Sequence, residues 1–353
     1  MTRILYGVSG EGSGHSSRAR VVARHLEAAG HRVVIASYDR GLANLRGDFE
    51  VVPIEGLTIG VEEGRVSYRR TLIENARRLP AGLRGVARLR RAWRELQPEL
   101  VLTDFEPTSA YLALQAGVPL VSVDNQHRMR YMQLDLPPEL EGPAKRTRAV
   151  IRAMVPRPDA CVATTFYFGP VRDERLILVP PILREEVRTA KAVDGDRVLV
   201  YATKAIEPLL GQLGQRSDQR FVVYGFAPGR PVPDHIELRA PSREGFLEDL
   251  RTSRAVIATA GFTLMTECLH LGKPLYALPL EGQFEQELNA LWLERMGCGW
   301  DGRRRGLDGI GPFLDSTERF QGALGAYDSG GPQALFAGLE RAMELAARAG
   351  RGS

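Results

Sequence analysis

Short apolar runs with the character of buried strands alternate with helix-like stretches along almost the whole chain, and the alternation occurs twice. In the first half the runs cover residues 4–8, 33–36, 49–53, 100–103, 120–123 and 160–163, with helical patterns over 16–29, 69–96 and 107–116. Continuous apolar runs separated by helices predict a parallel sheet covered on both faces. The passage Val179-Pro180-Pro181-Ile182 breaks the pattern and a polar stretch follows to about Arg197. The alternation then restarts, with strand-like runs at 198–201, 221–224, 236–238, 255–258 and 274–278 and helices expected at 204–214, 243–252, 262–271 and 284–296. Residues 332–349 read as a last amphipathic helix, with Leu335, Leu339, Met343 and Ala346 at helical spacing. The expected fold class is α/β, with two doubly wound Rossmann-like domains facing across a cleft. The boundaries are 1–180 for the first domain, 181–196 for a linker, 197–331 for the second domain and 332–353 for the C-terminal helix.

With 353 residues the chain can hold two cores at roughly 150 residues per domain. No stretch reaches the roughly 20 uninterrupted apolar residues of a membrane span. Residues 3–8 enter directly as a strand, without the apolar region of a signal peptide. Cys161, Cys268 and Cys298 are odd in number and widely spaced, which suits neither a disulfide framework nor a Cys-rich metal site. A reduced, cytoplasmic protein is expected. The net charge of +4 hides an asymmetry: residues 1–180 carry 26 Lys and Arg against 20 Asp and Glu, the remainder 21 against 23. The halves are therefore expected to meet different partners.

After the first strand comes Gly10-Glu11-Gly12-Ser13-Gly14-His15, a glycine loop opening a helix. The glycine spacing fails the dinucleotide fingerprint, and a phosphate-binding Walker loop lacks its lysine, since none occurs before Lys145. The third reading has the loop, Gly14 included, shape the cleft floor and present His15 at a helix start. Imidazole suits a general base, its ordinary pKa lying near 6.5; a histidine here can equally cap the helix. Asp104 and Asp124 each follow a strand, where ligand-contacting residues of open α/β sheets cluster. Either can orient an imidazole or cap a helix; Asp104 is preferred for the chemistry. Asn125-Gln126-His127 makes the end of the second of these strands polar, which with Asp124 suits an acceptor-binding wall.

In the second half a strand ends, Gly261 turns the chain, and a helix opens with Phe262 and Thr263. Such a start offers unpaired N–H groups and about half a positive charge to a phosphate. Glu267 follows one turn on, suited to the paired hydroxyls of a ribose. After the next strand, Glu285-Gln286 sets a carboxylate beside an amide, as gripping sugar hydroxyls requires. Taken together, Gly261-Phe262-Thr263, Glu267, Gly272-Lys273-Pro274, Pro279, Glu285-Gln286 and Asn289-Ala290 resemble the donor-nucleotide motif of GT-B glycosyltransferases. The resemblance is closest to the group of the enzyme that completes the lipid-linked peptidoglycan disaccharide and to its teichoic-acid-type relatives. Gly12-Ser13-Gly14-His15 is similar to the first-domain loop of the same superfamily.

The resemblance implies transfer of a sugar from a nucleotide-sugar donor, UDP-linked, to an acceptor nucleophile with inversion. Gly261, Phe262 and Thr263 are then expected to hold the diphosphate, Glu267 the ribose, and Glu285 and Gln286 the donor sugar. Ser242, Arg243 and Phe246 would lie against the base. His15 would be the general base, supported by Asp104. Many relatives carry a second small residue where this chain has Phe262, so the phosphate loop can pack differently. No metal-ligand cluster occurs, so neither metal nor other cofactor is expected. Rivals on the same motifs are a nucleotide-sugar 2-epimerase and a non-catalytic nucleotide-sugar-binding protein; an NAD-dependent oxidoreductase is disfavoured by the loop spacing.

The acceptor is not specified by any motif. Arginines 65, 69, 70, 77, 78, 84, 88, 90, 91 and 94 crowd a stretch whose acids between 65 and 94 reduce to Glu74, with leucines and Trp93 interleaved. Residues 65–94 can rest on anionic lipid at the inner membrane face and admit a lipid-linked acceptor, bind an anionic polymer, or form a solvated face. A small apolar acceptor is equally open. No nucleic-acid motif occurs, so nucleic acid is not an expected partner, and no motif sets an oligomeric state.

Overall fold

Strand β1 (Arg3–Val8) shows why the first half folds as it does: Ile4, Tyr6 and Val8 enter one apolar core and Leu5 the other. The same period-two division holds for Val33 and Ile35 against Val34 and Ala36, so the sheet is buried on both sides. The structure is a computed structural model describing residues 1–11, 13–56, 61–62, 65–66, 68–202 and 207–349, the backbone alone at 13, 61–62, 65–66, 68–81 and 207. Gly12, Lys204 and the side chains of arginines 65, 69, 70, 77 and 78 lie outside the described residues. The chain divides into one unit of Met1–Ile182 with Gly330–Ser353, and a second of Leu183–Ser329.

In the first unit β1 leads into α1 (Ser13–Ala28), β2 (Arg32–Ser37), α2 (Asp39–Leu45) and β3 (Val51–Pro53). A small antiparallel pair, β4 (Val61–Glu62) and β5 (Arg65–Val66), precedes the long α3 (Tyr68–Leu96). Then come β6 (Leu100–Asp104), α4 (Pro107–Ala116), β7 (Leu120–Asp124), α5 (His127–Tyr131), α6 (Pro138–Met154), β8 (Ala160–Thr164) and β9 (Leu176–Val179). The seven-stranded sheet runs β3-β2-β1-β6-β7-β8-β9, all parallel. Its strand order reverses between β1 and β6, the switch point at which open α/β sheets bind ligands. Strand β9 differs from expectation. It was masked in the sequence by Pro180 and Pro181, which end the strand because proline cannot donate to the ladder.

The second unit begins inside the stretch expected as linker, with α7 (Glu185–Arg188), Val187 fully buried, and the Val193 amide bonded to the Arg251 carbonyl. It continues with β10 (Arg197–Tyr201), α8 (Glu207–Gly214), β11 (Arg220–Tyr224), β12 (Ile236–Arg239), α9 (Arg243–Thr252), β13 (Ala255–Ala258), α10 (Phe262–His270), β14 (Leu275–Ala277), α11 (Phe284–Arg295) and β15 (Gly299–Asp301). Short helices α12 (Gly302–Arg305), α13 (Ile310–Leu314) and α14 (Gln321–Gly325) follow. The sheet is β12-β11-β10-β13-β14-β15, again parallel, with its reversal between β10 and β13. The three-residue β15, Gly-Trp-Asp, has no apolar run to announce it.

The last helix, α15 (Pro332–Ala349), returns to the first unit, where Leu335, Leu339, Ala342 and Ala346 join the core of β1 and β8. Met343 is only partly buried, so Ala342 takes the fully buried position. At Gly338 the helix approaches β9 so closely that an added Cβ would stand 2.6 Å from Val179 Cγ1.

Candidate active site

The polar residues of the first unit converge at its switch point. Val8 of β1 and Asp104 of β6 are register partners, so the chain leaving β1 passes over the end of β6. Gly10 makes that crossing against the β2–α2 turn, where a Cβ would meet the Tyr38 carbonyl oxygen at 2.2 Å. Helix α1 starts at Ser13, three residues before the expected start, and carries Gly14 and His15 in its first turn. His15 Nδ1 lies 2.6 Å from Asp104 Oδ1. Asp104 is fully buried, whereas the His15 side chain keeps 15% of its surface.

Arg18 completes the arrangement. Its Nε donates to Asp104 Oδ2 at 2.8 Å and its Nη2 to Oδ1 at 2.6 Å. The only sequence signal was its place one helical turn after His15. Burial alone would lower the Arg18 pKa, but Asp104 overrides it and raises it, so the guanidinium stays charged. Tyr6 stands behind, its hydroxyl buried without a hydrogen-bond partner and its pKa raised first by burial and then by Asp104. The chain turns between Asp104 and Glu106 at Phe105, whose φ of +56° lies in the left-handed region that non-glycine residues enter at a cost. That turn frees Glu106 to cap α4, accepting from the Thr108 and Ser109 amides at 2.7 Å each.

Asp124 and His127 form a second, inward-facing pair. Asp124 Oδ2 accepts from His127 Nδ1 and from Ser122 Oγ, each at 2.6 Å, and Oδ1 accepts from the His127 amide at 2.9 Å. Both side chains are fully buried. Burial pushes the Asp124 carboxyl up, but His127 and these donors hold it at about 2. His127 Nε2 is buried with no hydrogen-bond partner. Asn125 is also buried, and Gln126 is half-buried, so of the four residues expected to line an acceptor wall Gln126 keeps the most accessible surface.

In the second unit Gly261 stands just past β13, beside the β10–β13 reversal, and begins α10 with no side-chain cap. A Cβ built at Gly261 meets nothing within 4 Å, so the helix start is open. Phe262 is half-buried and Thr263 exposed at that start. Asn289 holds the approach from below, its Nδ2 donating to the Ala260 carbonyl at 3.0 Å. Glu267, one turn into the helix, is nearly fully buried, and its Oε1 accepts from Arg184 Nε at 2.9 Å with Nη2 at 2.8 Å. Burial raises the Glu267 pKa despite the opposing guanidinium. Arg184 was hidden in the stretch expected as linker.

The remaining expected residues are placed as follows. Ser242 caps α9 by accepting from the Gly245 amide at 3.0 Å, and Arg243 is exposed and paired with Glu186 at 2.8 Å. Phe246 packs edge-on to Tyr201 and Tyr224, centroids 5.4 and 5.1 Å away, and Tyr224 donates to Asp249 at 2.6 Å. Glu285 is half-buried in the first turn of α11. Gln286 turns both polar ends to its own loop, accepting from the Leu280 amide at 3.0 Å and donating to Gln283 at 2.8 Å. Along the described part of α3, Leu89 and Leu96 are buried while Leu83, Arg90, Arg91 and Arg94 are exposed. Among the described residues no helix is long and apolar enough to cross a membrane, and no three His, Cys, Asp or Glu side chains group as a metal site.

Comparison with known proteins agrees with this architecture. Residues 2–316 match the family described as Glycosyl transferase family 1. An uncharacterized glycosyltransferase of Methanosarcina acetivorans is 24% identical over 329 residues, covering 84% of each chain. Among solved structures, the calicheamicin glycosyltransferase CalG4 superposes with a TM-score of 0.65 at 17% identity, over 97% of this chain and 98% of its own. The spinosyn rhamnosyltransferase SpnG complexed with thymidine diphosphate gives 0.62 at 16%, over 96% and 100%. Two parallel-sheet Rossmann-like units in this order are the GT-B fold, and the chain belongs to glycosyl transferase family 1.

Proposed function

We propose that this glycosyltransferase moves a sugar from a nucleotide-sugar donor, UDP-linked, to an acceptor hydroxyl or amine, with inversion and without a metal. The observation that carries the reading is the 2.6 Å pairing of His15 with a buried carboxylate at the first unit's switch point. In this proposal His15 Nε2 removes the acceptor proton as the nucleophile attacks the anomeric carbon opposite the leaving diphosphate. The uncapped start of α10 at Gly261, Phe262 and Thr263 receives the diphosphate charge, which backbone amides can stabilise without a metal. Glu267 takes the ribose hydroxyls and Glu285, with Gln286 bracing its loop, the donor sugar. Ser242, Arg243 and Phe246 flank the base.

A thymidine diphosphate in one structural neighbour makes that nucleotide the natural competitor to UDP. For the acceptor, the resemblance to lipid-linked transferases and the exposed arginines and Leu83 of α3 support a lipid-linked substrate met at an anionic inner membrane face. The natural-product neighbours support a small apolar acceptor, with Gln126 on its wall.

The test is a thermal-shift screen of nucleoside diphosphates, followed by turnover of the matching nucleotide sugars. A ligand that binds the folded state raises the melting temperature; UDP is expected to do so. Turnover should survive a chelator and vanish in His15→Ala, which keeps the nucleotide shift. Full activity in His15→Ala would remove the assigned base, and a chelator-sensitive rate would remove metal independence.

A further inference from the structure

Helices α9 and α10 both begin at the carboxyl edge of the second sheet, and one side chain lies between their starts. Tyr201 is the last residue of β10, a strand at the reversal of strand order. On one side it is the register partner of Ala258, and its carbonyl accepts from the Thr259 amide at 3.3 Å, two residues before Gly261. On the other side it is the register partner of Tyr224, and its ring meets that of Phe246, early in α9, edge to face at 5.4 Å. Three rings thus cluster under the start of α9, and their accessibility divides them. Tyr224 is 3% exposed, and its hydroxyl is committed to Asp249, whose carboxylate Arg239 also holds at 2.6 Å. Phe246 is half-buried, its ring held against both tyrosines. Tyr201 is half-buried too, but its hydroxyl bonds to no described residue. A tyrosine hydroxyl without a protein partner reaches water or a ligand, and strand ends at a switch point are where open α/β sheets meet ligands.

We propose that the Tyr201 ring is the floor of the nucleoside half of the donor site and carries the nucleotide base. This deepens the transferase reading and rests on it. With the diphosphate at the start of α10 and the base at the start of α9, a bound nucleoside diphosphate must pass over the end of β10. The side chains at the rim are already engaged: Ser242 accepts from the Gly245 amide and Arg243 pairs with Glu186. The Tyr201 ring is the aromatic surface left for the ligand, and every base has a face that stacks on such a ring. Edge-to-face packing on Phe246 fixes the orientation of the ring before the ligand arrives. A side chain held in this way loses little freedom on binding.

The experiment is calorimetric titration of the full chain with UDP and with UMP; if the wild type prefers thymidine nucleotides, thymidine diphosphate and monophosphate take their places. Tyr201→Leu should weaken both ligands by about tenfold, the scale of a lost base–aromatic contact. The UDP-to-UMP affinity ratio, which reports the phosphate half of the site, should then stay within about twofold of wild type. Tyr201→Phe keeps the ring and should bind both ligands like the wild type. Tyr201→Met takes the place of Tyr201→Leu if the latter does not fold. Tyr224→Phe loosens the same cluster from behind by losing the Asp249 bond; it should lower the melting temperature and leave UDP affinity unchanged. Undiminished UDP binding in folded Tyr201→Leu, an equal loss in Tyr201→Phe or Tyr224→Phe, or a shifted UDP-to-UMP ratio overturns the proposal. Each of these leaves the donor site standing, whereas a wild type that binds no nucleoside diphosphate defeats the transferase reading itself, and the role of Tyr201 with it.

Discussion

Nδ1 of His15 and Oδ1 of Asp104 are 2.6 Å apart although 89 residues separate them in sequence. Parallel pairing of β1 with β6 makes this contact, because it sets the loop after one strand over the end of the other.

Removing either partner should separate chemistry from stability. His15→Ala is expected to abolish transfer with little loss of stability, its side chain being partly exposed. Asp104→Ala instead strands the buried Arg18 guanidinium, and breaking a buried pair costs about 3–5 kcal/mol. Urea unfolding of the two variants checks this; equal stabilities would mean that Asp104 does not hold Arg18.

Asp124 predicts a specific acid limb of stability. Its folded carboxyl lies near 2, below the ordinary 3.8, because His127 and its hydrogen bonds outweigh burial. A lowered folded pKa adds stability that is fully present above about pH 4 and lost as the pH falls toward 2. Asp124→Asn should flatten that part of the pH–stability curve, measured by denaturant unfolding from pH 5 to 2. An unchanged slope would contradict the buried pairing with His127.

Arg184→Ala should reveal what the guanidinium does for Glu267. The Glu267 side chain retains only 3% of its surface, so its charge would be left buried without a partner, at a cost of about 3 kcal/mol. Burial already raises this carboxyl, and losing Arg184 raises it further, so the deficit should be larger at pH 8 than at pH 5, where the carboxyl can take a proton. A deficit independent of pH would show that Arg184 contributes packing alone. Glu267→Ala, in turn, should remove most of the UDP thermal shift.

The return of α15 to the first unit should be visible in two core substitutions. Leu339→Ala empties a fully buried position and is expected to cost about 2–5 kcal/mol. Gly338→Val forces atoms into the contact with Val179 and should cost about 1–3 kcal/mol. If both variants unfold at the wild-type urea midpoint, the helix is not docked on β8 and β9.

The sequence by itself determined the two parallel sheets and the identity of most of their strands, because a strand buried on both faces must be built around a continuous apolar run, as in β1, β6, β7, β8, β10, β11 and β13. It also singled out His15, Asp104, Gly261 and Glu267 as candidates, since glycine turns and carboxylates at strand ends or early in the following helix are local signals. Strand β15 carried no such run, and β9 lay against two prolines that read as a break. Only the tertiary structure decided that Arg18 forks onto Asp104, that Arg184 belongs to Glu267, and that α15 packs on the first unit. Partnerships like these are fixed by which strands lie side by side and by the need of a buried charge for a counter-charge. Neither leaves a pattern along the chain when the partners stand tens of residues apart.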